Sequence, residues 1–228
     1  MNIMKGISHI MEATDILKKV DHTLLKAFSD WESIKKICED ALEYNTASVC
    51  IPPSYVKRAH ENYPELNICT VIGFPLGYNT TAVKVFEAKD AIANGAKEID
   101  MVINIGDVKN GDWDLVSAEV AALREATQGY ILKVIIETCY LTEEEKVKMC
   151  EIVTEEKADF IKTSTGFGTA GATIDDIKLF KEHVGPEVQI KAAGGMKTVE
   201  DIEAFAELGC ARLGTSSAMR LFKEAGKI

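Results

Sequence analysis

The chain has 228 residues, 46% of them hydrophobic, enough for one large core. Its 36 acidic against 26 basic residues leave a formal charge of −10, which argues against a nucleic-acid surface and against attraction to anionic membranes. No stretch reaches the roughly 18 apolar residues of a membrane span, and the opening "MNIMKGISHIME" has no apolar leader core, so the expectation is a cytoplasmic protein.

Taken in chain order, short runs rich in Val and Ile alternate with longer amphipathic segments. The strand candidates are "KVDHT" (19–23), "ASVCI" (47–51), "NICTVIGF" (67–74), "EIDMVINI" (98–105), "YILKVIIE" (130–137), "DFIKTS" (159–164), "EVQIKAA" (187–193) and "ARLGT" (211–215). Each is bounded by turn formers. Between them, "SDWESIKKICEDALEY" sets Trp31, Ile34, Ile37, Cys38 and Leu42 near helical spacing, and "TTAVKVFEAKDAIANG" ends on Gly95, a helix-stop glycine. Thr142 with Glu145 has capping-box spacing, and Thr198 with Asp201 is its acidic variant. Eight strands with helical crossovers predict parallel βαβ units. The fold this implies is a single (β/α)8 TIM barrel domain over 1–228, with a short N-terminal helical extension. A doubly wound sheet ranks second, since no early G-x-G-x-x-G follows the first strand.

The strands carry charge where parallel strands should be apolar on both faces. Glu98 and Asp100 lie two apart and so share a face, as do Lys133 and Glu137, four apart; Lys162 and Lys191 follow on the next two strands. An unpaired buried charge costs several kcal/mol, so both signs on four successive strands predict a polar network at the barrel mouth. The bland alternative is solvated strand ends or an ion-pair cluster without chemistry. Lys162 and Lys191 sit near the C-terminal ends of their strands, where barrel enzymes place their active sites. A lysine is a nucleophile only when neutral, and burial or a second cation such as Lys191 favours that form. Asp100 would move protons through a water.

Glycine-rich turns follow the last three strands: "TGFGTAG" (165–171), "AGG" (193–195) and "LGTSS" (213–217). Glycines let backbone N–H groups approach a ligand, and barrel phosphate sites often use the loops after strands seven and eight with a helix N-terminus. Ser216 and Ser217 stand where such a helix would begin, either as an anion site or as plain N-caps. The six cysteines form no C-x-x-C pair and read as reduced thiols, with Cys50 near a strand end. The four histidines show no metal-ligand spacing.

The motifs "DHTLL" (21–25), "GFPLG" (73–77), "EIDMVINIG" (98–106), "LKVIIET" (132–138), "FIKTSTGF" (160–167), "IKAAGG" (190–195) and "RLGTSS" (212–217) resemble, in order, those of the deoxyribose-phosphate aldolase family. The resemblance runs from about 14 to 225. It implies a class I aldolase on a (β/α)8 barrel that needs no metal or cofactor. Such an enzyme acts on phosphosugar and aldehyde substrates in deoxyribonucleotide catabolism, as a homodimer. It also implies that Lys162 forms the Schiff base, Lys191 is the second lysine and Asp100 the proton relay. Asp21, Cys50, Lys133 and Thr165 match pocket positions, and Gly166, Gly194, Gly195, Gly214, Ser216 and Ser217 match phosphate-binding turns. The chain departs from some members at Phe167, where they carry a lysine, and in ending "KEAGKI" without a tyrosine. A transaldolase-like or dehydratase-type Schiff-base barrel and a non-catalytic phosphosugar-binding barrel are the alternatives.

Overall fold

Residues 11–228 are described by a computed structural model. The extension read over "MNIMKGISHIME" lies mostly outside the described residues, which open with helix α1 (Ala13–Leu17). Eight parallel strands follow: β1 (Val20–Thr23), β2 (Ser48–Ile51), β3 (Ile68–Ile72), β4 (Glu98–Val102), β5 (Ile131–Ile135), β6 (Phe160–Lys162), β7 (Gln189–Ala193) and β8 (Arg212–Thr215). They close in sequence order, with β8 pairing back onto β1. The crossovers are α2 (Trp31–Glu43), α3 (Pro53–Asn62), α4 (Thr81–Ala93), the pair α5 (Ile105–Asn110) and α6 (Trp113–Ala126), α7 (Glu143–Glu155), α8 (Ile174–His183) and α9 (Val199–Glu207), with α10 (Ala218–Glu224) last. This is the (β/α)8 barrel the alternation predicts. No described helix is long and apolar enough to cross a membrane.

Four strands, β3 to β6, stop two or three residues short of their sequence runs, because the chain leaves the ladder to build mouth loops. "EIDMVINI" ends at Val102, since the Asn104 side chain accepts from the Gly106 N–H and starts α5. "YILKVIIE" ends at Ile135, and Glu137 turns out with φ +52°, a region uncommon for any residue but glycine. The helix signals hold: Thr142 with Glu145 and Thr198 with Asp201 form reciprocal capping boxes, and Gly95 follows α4 at φ +110°. In α2 the buried stripe is Ile34, Ile37, Cys38 and Ala41, whereas Leu42 is partly exposed.

Strand parity divides the molecule. Outward residues such as Val49, Ile51, Ile68, Ile99, Val134, Ile161 and Leu213 join the helices in one large apolar cluster. The inward parity has a small apolar group, Cys50, Cys69 and Val71, with Leu25 and Phe74 packed against it. The same parity buries Val102, Ile135, Phe160 and Ala193, and between them lie the charged side chains of the barrel interior. The register makes this unavoidable: Asp21 pairs with Ser48, Asp100 with Lys133, Lys162 with Lys191 and Lys191 with Arg212.

Candidate active site

Seven charged side chains meet inside the barrel. Asp100 lies at the centre, with Oδ2 2.7 Å from Lys162 Nζ and 2.7 Å from Lys191 Nζ, and Oδ1 2.8 Å from Lys133 Nζ. Lys133 also pairs with Glu98 at 2.6 Å and with Asp21 at 3.6 Å, and Lys191 pairs with Asp21 as well. Arg212 closes the ring, its Nη1 2.8 Å from both Asp21 Oδ1 and Glu98 Oε2, and its Nη2 2.9 Å from Glu98 Oε1. Ser48 donates to Asp21 and Asn67 to Glu98. Asp21, Asp100, Lys133 and Lys191 are fully buried, and Lys162 is 4% exposed.

Burial alone would neutralise these groups, and the network reverses it for most of them. Burial pushes the Asp100 carboxyl up, but Lys133, Lys162 and Lys191 together hold it well below the ordinary range. Asp21 and Glu98 are likewise held low, the first by Lys191, Lys133 and Arg212, the second by Lys133 and Arg212. Burial pulls Lys191 down, but Asp100 and Asp21 outweigh it and hold it protonated; Lys133 is raised in the same way. The paired cluster thus holds three carboxylates and four cationic side chains. Lys162 is the one cation with a single carboxylate partner.

Above Lys162 opens a cavity of about 200 Å³ at the C-terminal mouth of the barrel. One wall is Thr23 to Lys26. The other is formed by Thr165, Gly166 and Phe167, by Ala193 to Met196, and by Gly214 to Ser217. The site residues therefore fall into two tiers. Lys162, Thr165, Gly166, Gly194, Gly195, Gly214, Ser216 and Ser217 line the cavity, whereas Asp21, Cys50, Asp100, Lys133 and Lys191 do not reach its surface. Cys50 lies within β2, not at its end, and packs against Cys69. The glycines have steric causes. A Cβ at Gly171 would stand 2.3 Å from the Gly194 carbonyl carbon, so the two loops approach only without side chains, and one at Gly214 would crowd Lys191 Cε at 3.1 Å.

The N–H groups of Gly166, Gly195 and Ser216 donate to no described protein group and face the cavity side of their turns. The expected helix N-terminus is a smaller feature: α10 has seven residues, and the Ser217 side chain makes no cap bond, lying 3.1 Å from Thr215 Oγ1 instead. The donors at this end of the cavity are turn backbone N–H groups. Two donor triads, Cys50–Cys69–Asp100 and Asp21–Cys69–Glu98, have ligand atoms within 4.8 Å of one another. Their carboxylates are already committed to Lys133, Lys162, Lys191 and Arg212, so a divalent cation there would have to displace them.

Three side chains stand out that are not among the expected site residues. Arg212 neutralises Asp21 and Glu98, and its only sequence signal is its inward parity on β8. Glu137, four residues after Lys133, turns under the loop after β6, where Thr165 donates both its N–H and its hydroxyl to the carboxylate. Burial raises the Glu137 pKa against the pull of those bonds. Lys26 reaches the cavity one residue past the "DHTLL" motif.

A closed parallel barrel with a lysine at the floor of its mouth pocket defines the chain as a (β/α)8 barrel of the enzymatic type. More narrowly, the sequence profile of the DeoC/LacD family aldolases matches residues 15–216, and the chain belongs to that family. A deoxyribose-phosphate aldolase of Clostridium botulinum (strain Alaska E43 / Type E3) is 63% identical over 214 residues, covering 93% of this chain and 97% of that one. A deoxyribose-phosphate aldolase of Clostridioides difficile (strain 630) is 63% identical over 209 residues, covering 91% and 95%. Among solved structures, the tetrameric deoxyribose phosphate aldolase of Aeropyrum pernix superposes with a TM-score of 0.87 at 25% identity, covering 94% of this chain and 92% of that chain.

Proposed function

We propose that the chain is a class I aldolase that reversibly cleaves 2-deoxy-D-ribose 5-phosphate to D-glyceraldehyde 3-phosphate and acetaldehyde, a cytoplasmic reaction of deoxyribonucleotide breakdown. The observation that carries this is Lys162, the one cation of the buried cluster that faces the cavity and has only one carboxylate partner. The other three cations of the cluster each bridge two or three carboxylates.

The Lys162 amine adds to the C1 aldehyde of the open-chain sugar, and loss of water gives a protonated imine. A base takes the proton of the C3 hydroxyl. The C2–C3 electron pair moves into the imine as that bond breaks, releasing glyceraldehyde 3-phosphate and leaving an enamine on Lys162. Protonation at C2 and hydrolysis return acetaldehyde and the free amine. Asp100, 2.7 Å from both Lys162 and Lys191, is the group to pass protons through a water at this point, and Lys191 stays cationic beside it. Thr165, Gly166, Gly194, Gly195, Gly214, Ser216 and Ser217 hold the phosphate end; Asp21, Cys50 and Lys133 support the floor.

The test is turnover of 2-deoxyribose 5-phosphate with both aldehydes measured as products. The wild type is expected to release them in equal amounts. Lys162→Arg keeps the charge but lacks a nucleophilic amine and is expected to show no turnover. Activity in that variant close to the wild type would remove Lys162 from its role. A homodimer accompanies this reading, with exposed Val83 and Phe86 of α4 and Leu115 of α6 as apolar surface for a second copy; the solution mass checks it.

A further inference from the structure

The cavity is chemically unlike the rest of the molecule. The chain carries 36 carboxylate side chains and a charge of −10, yet no Asp or Glu lines the cavity wall, and its two ionisable side chains are both lysines, Lys162 and Lys26. Lys162 is committed to Asp100 at the floor. Lys26 is on the opposite wall, in the loop between β1 and α2, exposed and without a carboxylate partner among the described residues. Its Nζ lies 5.8 Å from the ring centroid of Phe167, the residue that follows Gly166. That ring packs edge-on against Phe74, centroids 5.3 Å apart, which gives it a fixed support. Lys26 is thus held across the cavity from the glycine turns whose N–H groups are free.

We infer that Lys26 is the cationic residue that selects a phosphorylated over an unphosphorylated substrate. Backbone N–H groups on one wall would orient the phosphate oxygens, and the Lys26 ammonium on the other would supply the full charge that neutral donors lack. A phosphate with no cation nearby would enter a protein of the same sign, and a charge at the cavity mouth acts on both encounter and binding. Lys26 acts as a point charge that an arginine can replace, not as a shaped fork. The inference rests on the aldolase reading for its substrate but concerns only the phosphate end.

The experiment compares the wild type, Lys26→Met and Lys26→Arg in two measurements. The first is the ratio of kcat/KM for 2-deoxyribose 5-phosphate to that for 2-deoxyribose. In Lys26→Met the ratio is expected to fall roughly tenfold, the value of one charge-assisted contact. The loss is expected in KM for the phosphorylated sugar and to shrink at high salt, and Lys26→Arg is expected to restore most of it. A ratio within twofold of the wild type in Lys26→Met would overturn the inference. The second is binding of inorganic phosphate by calorimetry, which needs no turnover. Phosphate binding weakened at least about fivefold in Lys26→Met supports the inference even if neither sugar is cleaved, an outcome that would sink the aldolase reading alone. Equal phosphate binding in wild type and Lys26→Met would overturn the role of Lys26 whatever the sugars do.

Discussion

At the scale of single residues, the site depends on side chains that act on one another. Glu137 shows this: its carboxylate accepts the N–H and the hydroxyl of Thr165, and Thr165 Oγ1 in turn accepts the Phe167 N–H at 3.0 Å. The turn that borders the cavity is therefore tied to the end of β5. Glu137→Ala removes hydrogen bonds to a charged acceptor, each worth roughly 1.5–3 kcal/mol. The expected result is a rise in KM for the phosphosugar of about tenfold or more, with a smaller change in kcat; steady-state kinetics on both parameters checks it. Asp100→Asn keeps the shape but removes the charge shared by three lysines. Its kcat is expected to drop by roughly 10²–10⁴, the range for loss of a positioned acid or base. The lysines and Asp100 were legible in the sequence because charge inside a parallel strand is conspicuous. Glu137 drew notice for its parity with Lys133, but its function comes from a positive φ that no local pattern announces. Lys26 was invisible because an exposed lysine in a loop looks like any solvated charge.

At the scale of elements, the outer face of β1 contains an imidazole, paired in register with Val49 and Thr215 of the flanking strands. His22 is 5% exposed, its Nε2 is 3.9 Å from Asp40 of α2, and its Nδ1 has no described partner. Burial lowers its pKa from 6.5 to about 4, against the opposing pull of Asp40. Between those values the unfolded chain binds a proton that the folded chain refuses, so stability is full above pH 6.5 and declines as pH falls toward 4. The melting temperature is expected to decrease across that window, and in His22→Gln that slope is expected to flatten. Equal slopes in both proteins would mean that other groups carry the pH dependence. The elements themselves were readable from periodicity and caps. Their ends were not, because the mouth loops borrow the last residues of the apolar runs, as Asn104 does when it caps α5.

For the whole molecule, the barrel interior replaces the usual apolar filling with an ion network. Asp21, Glu98 and Asp100 all have depressed carboxyl pKa values, so their contribution to stability is present above the unfolded carboxylate range near pH 4 and is lost as pH falls through the folded values. Arg212→Met leaves Asp21 and Glu98 short of a cation and is expected to cost about 3–5 kcal/mol, measured by urea unfolding at neutral pH. A cost below about 1 kcal/mol would show that the network does not need its fourth cation. The strand order and the charged parity were both visible in the sequence; the part of Arg212 was not, since it reaches Asp21 only once the barrel closes β8 onto β1. Lys162 is the member of the set that opens on the cavity, and its amine is the nucleophile this reading requires. The most direct test is to incubate the protein with acetaldehyde, reduce it with borohydride and map the adduct by mass spectrometry. One two-carbon adduct is expected, on Lys162. An adduct on Lys191, or an unmodified Lys162, would contradict it.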